Sequence, residues 1–200
     1  MKKAGLWHDV GKAHEAFQNN LLKGIEDERI INSGPWAKSD KRSGRPFYHT
    51  IKKNIIKKDG GNMEEEVIRV ERKFFRHELA SALSYMQSNK DDSHVNLITY
   101  LIGAHHGKVR LSIRSLPDET EPEKGGLFAR GVWDGDIIPA IRGLTRNDVN
   151  IDLSPMSIGA GSWLERSLEV LDEYGPFRLA FLESLLRISD WEVSGRYKHE

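Results

Sequence analysis

Six side chains able to bind a cation recur at suggestive places along the chain. His8 and Asp9 are adjacent, His77 falls in phase with apolar residues, His105 and His106 form a pair, and Asp190 interrupts Leu185-Leu186-Arg187-Ile188-Ser189-Asp190-Trp191. A carboxylate in such an apolar run is costly to bury unless it is paired or bound to a cation. Imidazole nitrogens and carboxylate oxygens together suit Mn, Fe, Co, Ni or Zn, and Mg where oxygen ligands dominate. Thiolate sites and disulfides are excluded, because there is no cysteine. The chemistry such a set supports is metal-assisted hydrolysis. Two cations about 3.5–4 Å apart activate a water and stabilise the attacking and leaving oxygens of a phosphodiester.

Taken singly, each residue has a plainer reading. His77 fits a hydrogen-bonded core histidine, and the His105-His106 pair fits an exposed helix end favoured by the dipole. Asp190 fits a cap or a partner of Arg187, and Asp9 a helix cap before Lys12. Their joint occurrence in order is what points to a metal site. His14, His49, His94 and His199 read as surface residues, Trp133 as loop packing, and Asp134 and Asp136 receive no metal assignment.

The elements that must position these groups are mostly helical. Residues 4–22 read as two helices meeting at Gly11. Residues 23–62, with Gly34-Pro35 and Arg45-Pro46, read as a long surface excursion. The spacing of Val67, Val70, Phe74, His77, Ala80, Leu83 and Met86 predicts one long helix over 63–89. A second, over 95–106, is stopped by Gly107. Between 108 and 162 the pattern dissolves into Gly, Pro and charge, with strand-like pieces at 109–113 and 136–141. Helices return at 163–174 and, after Gly175-Pro176, at 177–193. The fold class expected is therefore all-α, a single domain over 1–200 with irregular segments at about 23–62 and 108–162.

Two hundred residues suit one domain with a real core. The balance of 30 basic and 30 acidic residues excludes a protein that coats nucleic acid through a whole-surface positive field, so any such contact is local. No apolar stretch is long enough for a bilayer span, and a cytoplasmic setting fits the cysteine-free composition. There is no Gly-x-x-x-x-Gly-Lys-Ser/Thr loop for nucleotide phosphates.

His8-Asp9-Val10-Gly11-Lys12 followed by Ala16-Phe17-Gln18, then Arg76-His77-Glu78, then Ala104-His105-His106-Gly107, then Ser189-Asp190-Trp191, resembles the HD nuclease domain of the CRISPR type I helicase-nuclease. The order His-Asp, His, His-His, Asp is that of the broader HD phosphohydrolase superfamily. The resemblance extends to Arg196 and implies an HD-domain helical bundle with irregular insertions. It also implies two divalent cations (Mn, Ni, Fe, Co or Mg), with His8, Asp9 and Asp190 holding the first and Asp9, His77, His105 and His106 the second. The catalytic groups are then Asp9, Asp190 and Lys12, the last as a phosphate ligand. The implied activity is endo- or exonucleolytic degradation of single-stranded DNA in antiviral interference. Its implied partners are a superfamily 2 type helicase, as a separate chain or a missing region, and a crRNA-guided surveillance complex. A phosphohydrolase of nucleotides or cyclic nucleotides, or a catalytically impaired HD module, would use the same frame.

Nucleic-acid contacts are expected from Lys12, Lys108, Arg110, Ser194 and Arg196, with Arg114 and the Lys52, Lys53, Lys57, Lys58 cluster as further candidates, although that lysine run also reads as a solvated face. Members of the family usually carry another His upstream of the His-Asp pair, and none precedes His8. Either the chain begins late, or one metal position lacks a protein ligand and is completed by water or by His49.

Overall fold

In the computed structural model, residues 1–22, 27–31, 33–38, 48–55, 64–107, 109–122 and 125–196 are described, with the backbone alone at 20, 30, 31, 48–55, 64–71 and 196. The frame is helical. Helix α1 (Lys2–Trp7) leads through a 3-10 turn (Val10–Ala13) into α2 (Glu15–Leu21), followed by the single turn α3 (Glu28–Ile31). Helices α4 (His77–Ser88) and α5 (Val95–Ala104) form the centre, and α6 (Trp163–Arg196) closes the frame. Helix α4 buries nearly its whole circumference, including Leu79, Leu83 and Tyr85, which meet Leu101 and Ile102 of α5. Such all-round burial marks a central helix rather than a surface one. Trp7 of α1 packs edge-on against Tyr85, with ring centroids 5.2 Å apart.

Helix α6 presents Trp163, Val170, Leu179 and Leu186 to the same core. Its two halves meet at Gly175, where φ 70 and ψ 160 depart from helical geometry, directly before Pro176. The second half is pinned to α5 by Glu183, which accepts a hydrogen bond from the Tyr100 hydroxyl at 2.8 Å and another from the Arg110 guanidinium at 2.9 Å. No helix among the described residues is long and apolar enough to cross a membrane.

The all-α expectation needs correction. Strands β1 (Tyr48–Ile55) and β2 (Glu64–Glu71) pair antiparallel, with Tyr48 opposite Glu71 and Ile55 opposite Glu64. Two shorter ribbons lie in the later insertion: β3 (Phe128–Ala129) with β4 (Val132–Trp133), and β5 (Ile137–Ile138) with β6 (Val149–Asn150). The helix expected over 63–89 is thus a strand, an extended connection and a shorter helix that begins at His77. The β-branched Val67, Ile68 and Val70 favour the pleated chain there. Residues 109–111 form bends and 112–113 are irregular, so no strand lies there, whereas 136–141 does contain β5. The join between the first two helices is a 3-10 turn rather than a simple kink at Gly11. The break at Gly175-Pro176 and the stop of α5 before Gly107, whose φ is 71, fall where the sequence puts them.

Candidate metal centre

His8 and Asp9 occupy the link between α1 and the 3-10 turn, so both side chains leave the helix where it ends. Gly11 sets how closely that turn meets α4. A Cβ at Gly11 would stand 2.3 Å from the His77 carbonyl oxygen and 2.9 Å from Ser81 N, so only glycine permits the approach. The Gly11 N–H donates to Ser81 Oγ at 2.7 Å and locks it. His77, the first residue of α4, is thereby held beside Asp9. His105 and His106 leave the C-terminal end of α5, and Asp190 reaches in from α6.

The six candidate side chains converge into two groups. His8, Asp9 and Asp190 form one and His77, His105 and His106 the other, with one ligand atom per residue lying within 4.8 Å of its fellows. Asp9 stands between them. Its Oδ2 is 3.4 Å from His8 Nε2, and its Oδ1 is 3.4 Å from His77 Nε2. His8 Nε2 is also 3.5 Å from Asp190 Oδ1. Across the groups, the His8 and His105 rings meet edge-on at 5.2 Å.

The ring nitrogens are prepared for a cation. His8 Nδ1 donates to the Gly5 carbonyl at 2.8 Å and His105 Nδ1 to the Ile102 carbonyl at 2.6 Å, which leaves each Nε2 with its lone pair. Nε2 of His8, His77 and His105 is buried without a hydrogen-bond partner. Buried polar atoms are rarely left unpaired, so three converging on two carboxylates fit a divalent metal ligand set. Burial pushes His105 down to about 3, against the Ile102 hydrogen bond, and the neighbouring His106, His77 and His8 push it the same way. Burial, with the charge of His77, also lowers His106. Burial acts to raise Asp9, but the adjacent His77 and His8 imidazoles and the Lys12 ammonium outweigh it and hold its carboxyl well below the usual range.

Lys12 donates to Asp9 Oδ2 at 2.7 Å, at the edge of the site. Arg110 lies just past the histidine pair but is engaged by Glu183, and Arg114 is exposed. Ser194 lines the cleft next to Asp190, its hydroxyl 3.4 Å from Asp190 Oδ1. Arg187 lies over the Trp191 ring, 5.2 Å from the centroid. Lys108, Lys57, Lys58 and His199, and the side chains of His49, Lys52, Lys53 and Arg196, lie outside the described residues.

His14 is not a surface residue. It is 5% exposed, stacks on Phe75 with centroids 4.4 Å apart, and places Nε2 3.5 Å from Asp136 Oδ1. Its Nδ1 accepts from the Ala16 N–H and so caps α2. His94 is exposed, as expected, and Trp133 is buried packing. Two participants were not singled out by the sequence. Glu78 is fully buried, both its carboxylate oxygens lack a hydrogen-bond partner, and Oε2 is 3.6 Å from His77 Nδ1. Trp36, in the excursion, lines the cleft beside His8. Glu78 stands inside the Arg76-His77-Glu78 motif, the one signal that marks it, whereas nothing in the local pattern marks Trp36.

A family model described as "Cas3, HD domain" matches residues 4–196. No curated protein and no solved structure matches the chain. With that match spanning nearly all of the sequence and the His-Asp, His, His-His, Asp side chains gathered at one place, the chain belongs to the Cas3 HD domain family, a family of CRISPR-associated HD nucleases.

Proposed function

We propose that the chain is a metal-dependent nuclease that degrades single-stranded DNA during CRISPR interference, with two divalent cations shared across Asp9. The observation that carries this reading is the posture of Asp9, whose two oxygens face His8 and His77 on opposite sides at 3.4 Å each. A pair of divalent cations bound there would supply an activated water and charge stabilisation for the attacking and leaving oxygens of an in-line displacement. His8, Asp9 and Asp190 would hold one, and His77, His105 and His106 with Asp9 the other. The ammonium of Lys12, now on Asp9 Oδ2, is within reach of a phosphate oxygen presented at the same edge. Ser194 and the basic groups Lys108, Arg110 and Arg196 then steer the strand.

The driving motor is a superfamily 2 type helicase, and the target is delivered by a crRNA-guided surveillance complex. The outward side of α6, with Phe177 at 90%, Phe181 at 63% and Trp191 at 62% exposure, supports the presence of such a partner, since large apolar groups in one stripe mark interaction surfaces.

Metal analysis of the purified chain, with degradation of labelled single-stranded DNA in Mn or Ni, tests the reading. The expected result is bound metal and metal-dependent cutting that Asp9→Ala reduces to background. Inactivity in every metal, or cutting unaffected by Asp9→Ala, would overturn it. Parallel assays with mononucleotides and cyclic nucleotides separate a polymer substrate from a small one.

A further inference from the structure

Ala16-Phe17-Gln18 follows the His-Asp pair closely and supplies no metal-binding side chain. All three residues lie on α2, within six positions of Lys12. Ala16 is wholly buried and seats the helix. Phe17 stands beside the Lys12 ammonium, whose Nζ is 5.9 Å from the ring centroid, and meets the His77 ring edge-on at 5.4 Å. Gln18 remains without a use at the centre itself.

Its amide is fully engaged. Helical side chains lean toward the N-terminus, so Gln18 reaches back to the turn that precedes α2. Its Nε2 donates to the Lys12 carbonyl at 2.6 Å and to the Trp36 carbonyl at 2.8 Å, while its Oε1 accepts from the Trp36 N–H at 2.7 Å. The reversed amide would set N–H against N–H and oxygen against two carbonyls, so the Trp36 backbone fixes which end faces Lys12. The Lys12 N–H is held as well, donating to the Asp9 carbonyl at 2.9 Å. Lys12 thus has both backbone polar groups tied, and from that fixed origin its side chain extends to Asp9 Oδ2 at 2.7 Å.

We infer that Gln18 is a positioning residue for Lys12: by holding the Lys12 carbonyl, it sets where the ammonium stands at the edge of the site. The inference rests on the nuclease reading and adds the device that aims one of its side chains. Lysine is a point charge on a flexible four-carbon stem, so its placement depends on where the stem begins. An error of about 1 Å in such a group costs up to about 100-fold in rate. Gln18 itself touches neither the ligand set nor the phosphate edge and acts through the backbone of Lys12.

Two measurements test this. The first is a double-mutant cycle on the cutting of labelled single-stranded DNA in Mn. Gln18→Glu keeps an acceptor for the Trp36 N–H but loses both donated bonds, and is expected to lower kcat/KM by about tenfold. In a Lys12→Ala background the same substitution is expected to change kcat/KM by less than about twofold, since an effect exerted through Lys12 ends with it. Gln18→Met, similar in shape and uncharged, serves in its place if Gln18→Glu does not fold. The second measurement is the NMR signal of the Lys12 ammonium in the full metal-free chain, assigned by its loss in Lys12→Arg. Gln18→Glu or Gln18→Met is expected to shift or broaden that signal as the ammonium leaves Asp9. Equal losses of kcat/KM in both backgrounds, or an ammonium signal that does not move, overturn the inference. Because the signal is read without metal or DNA, a lack of cutting in every metal removes the nuclease reading while the placement of Lys12 by Gln18 is still decided.

Discussion

An imidazole can ligate a cation only through a nitrogen that carries no proton, and a protein chooses that nitrogen by what it offers the other one. For His8 and His105 the choice is made by backbone carbonyls, at Gly5 and Ile102. At His77 the neighbour is the Glu78 carboxylate, 3.6 Å from Nδ1 and fully buried. Substituting Glu78→Gln conserves volume and removes the carboxylate, so it is expected to weaken binding of the ion held by His77, His105 and His106 by about 10–100-fold while leaving the other ion little changed. Calorimetric titration with Mn or Ni resolves the two, and an unaltered pair of affinities would reduce Glu78 to packing. The six side chains that converge were legible in the sequence because their types and order are distinctive. The place of Glu78 beside His77 was not, since successive residues on a helix do not normally face one another. The pairing depends on both residues opening α4.

The sequence could be read at the level of elements wherever one period dominated. Helix α5 ends at its histidine pair, and α6 breaks at Gly175, because apolar spacing and a turn residue agree there. Residues 64–71 were misread because Val67 and Val70 are three apart, in phase with the helix that follows. The contiguous β-branched run carried the competing signal. Helix α6 also shows how an element sets the site from a distance. Fifteen residues separate Gly175 from Asp190 in the sequence, about 22 Å along a helix. Re-aiming the second half by about 5° would therefore displace Asp190 by about 2 Å. Gly175 holds φ 70 and ψ 160, a conformation costing any other residue about 1–3 kcal/mol. Gly175→Ala is accordingly expected to lower the melting temperature by about 2–4 °C for each kcal/mol. It should also weaken the ion at His8, Asp9 and Asp190 more than its neighbour. A variant with wild-type melting and wild-type metal affinity would show that the break is not strained and does not aim Asp190.

Over the whole molecule, a buried polar knot helps fasten the late insertion to the helical frame. Arg72, just past β2, places both terminal nitrogens on the Asp136 carboxylate between β4 and β5 and gives its Nε–H to the Gly131 carbonyl at 2.7 Å. Its guanidinium lies 4.4 Å from the Trp133 ring centroid, and His14 faces the same carboxylate. His14 follows Asp9 by five residues, and Phe75, on which it stacks, precedes His77 by two. The knot was invisible in the sequence because its members come from three distant segments, each unremarkable alone. Burial acts to raise Asp136, but the hydrogen bonds from His14 and Arg72 outweigh it and hold the carboxyl below its ordinary value. A carboxyl depressed in the folded state contributes stability above its unfolded value, about 3.9, and loses it as pH falls through the folded one. Thermal unfolding of the metal-free protein should therefore show an acid limb that steepens below about pH 4 and that Asp136→Asn flattens. At neutral pH the same substitution leaves Arg72 buried without its counter-charge, at a cost of about 3–5 kcal/mol. With the partner of Phe75 loosened, the turn bearing His8 and Asp9 loses support, so metal affinity should fall in parallel with stability. Preserved melting at pH 7 together with an unchanged acid limb in Asp136→Asn would mean that the insertion is held by its apolar contacts alone.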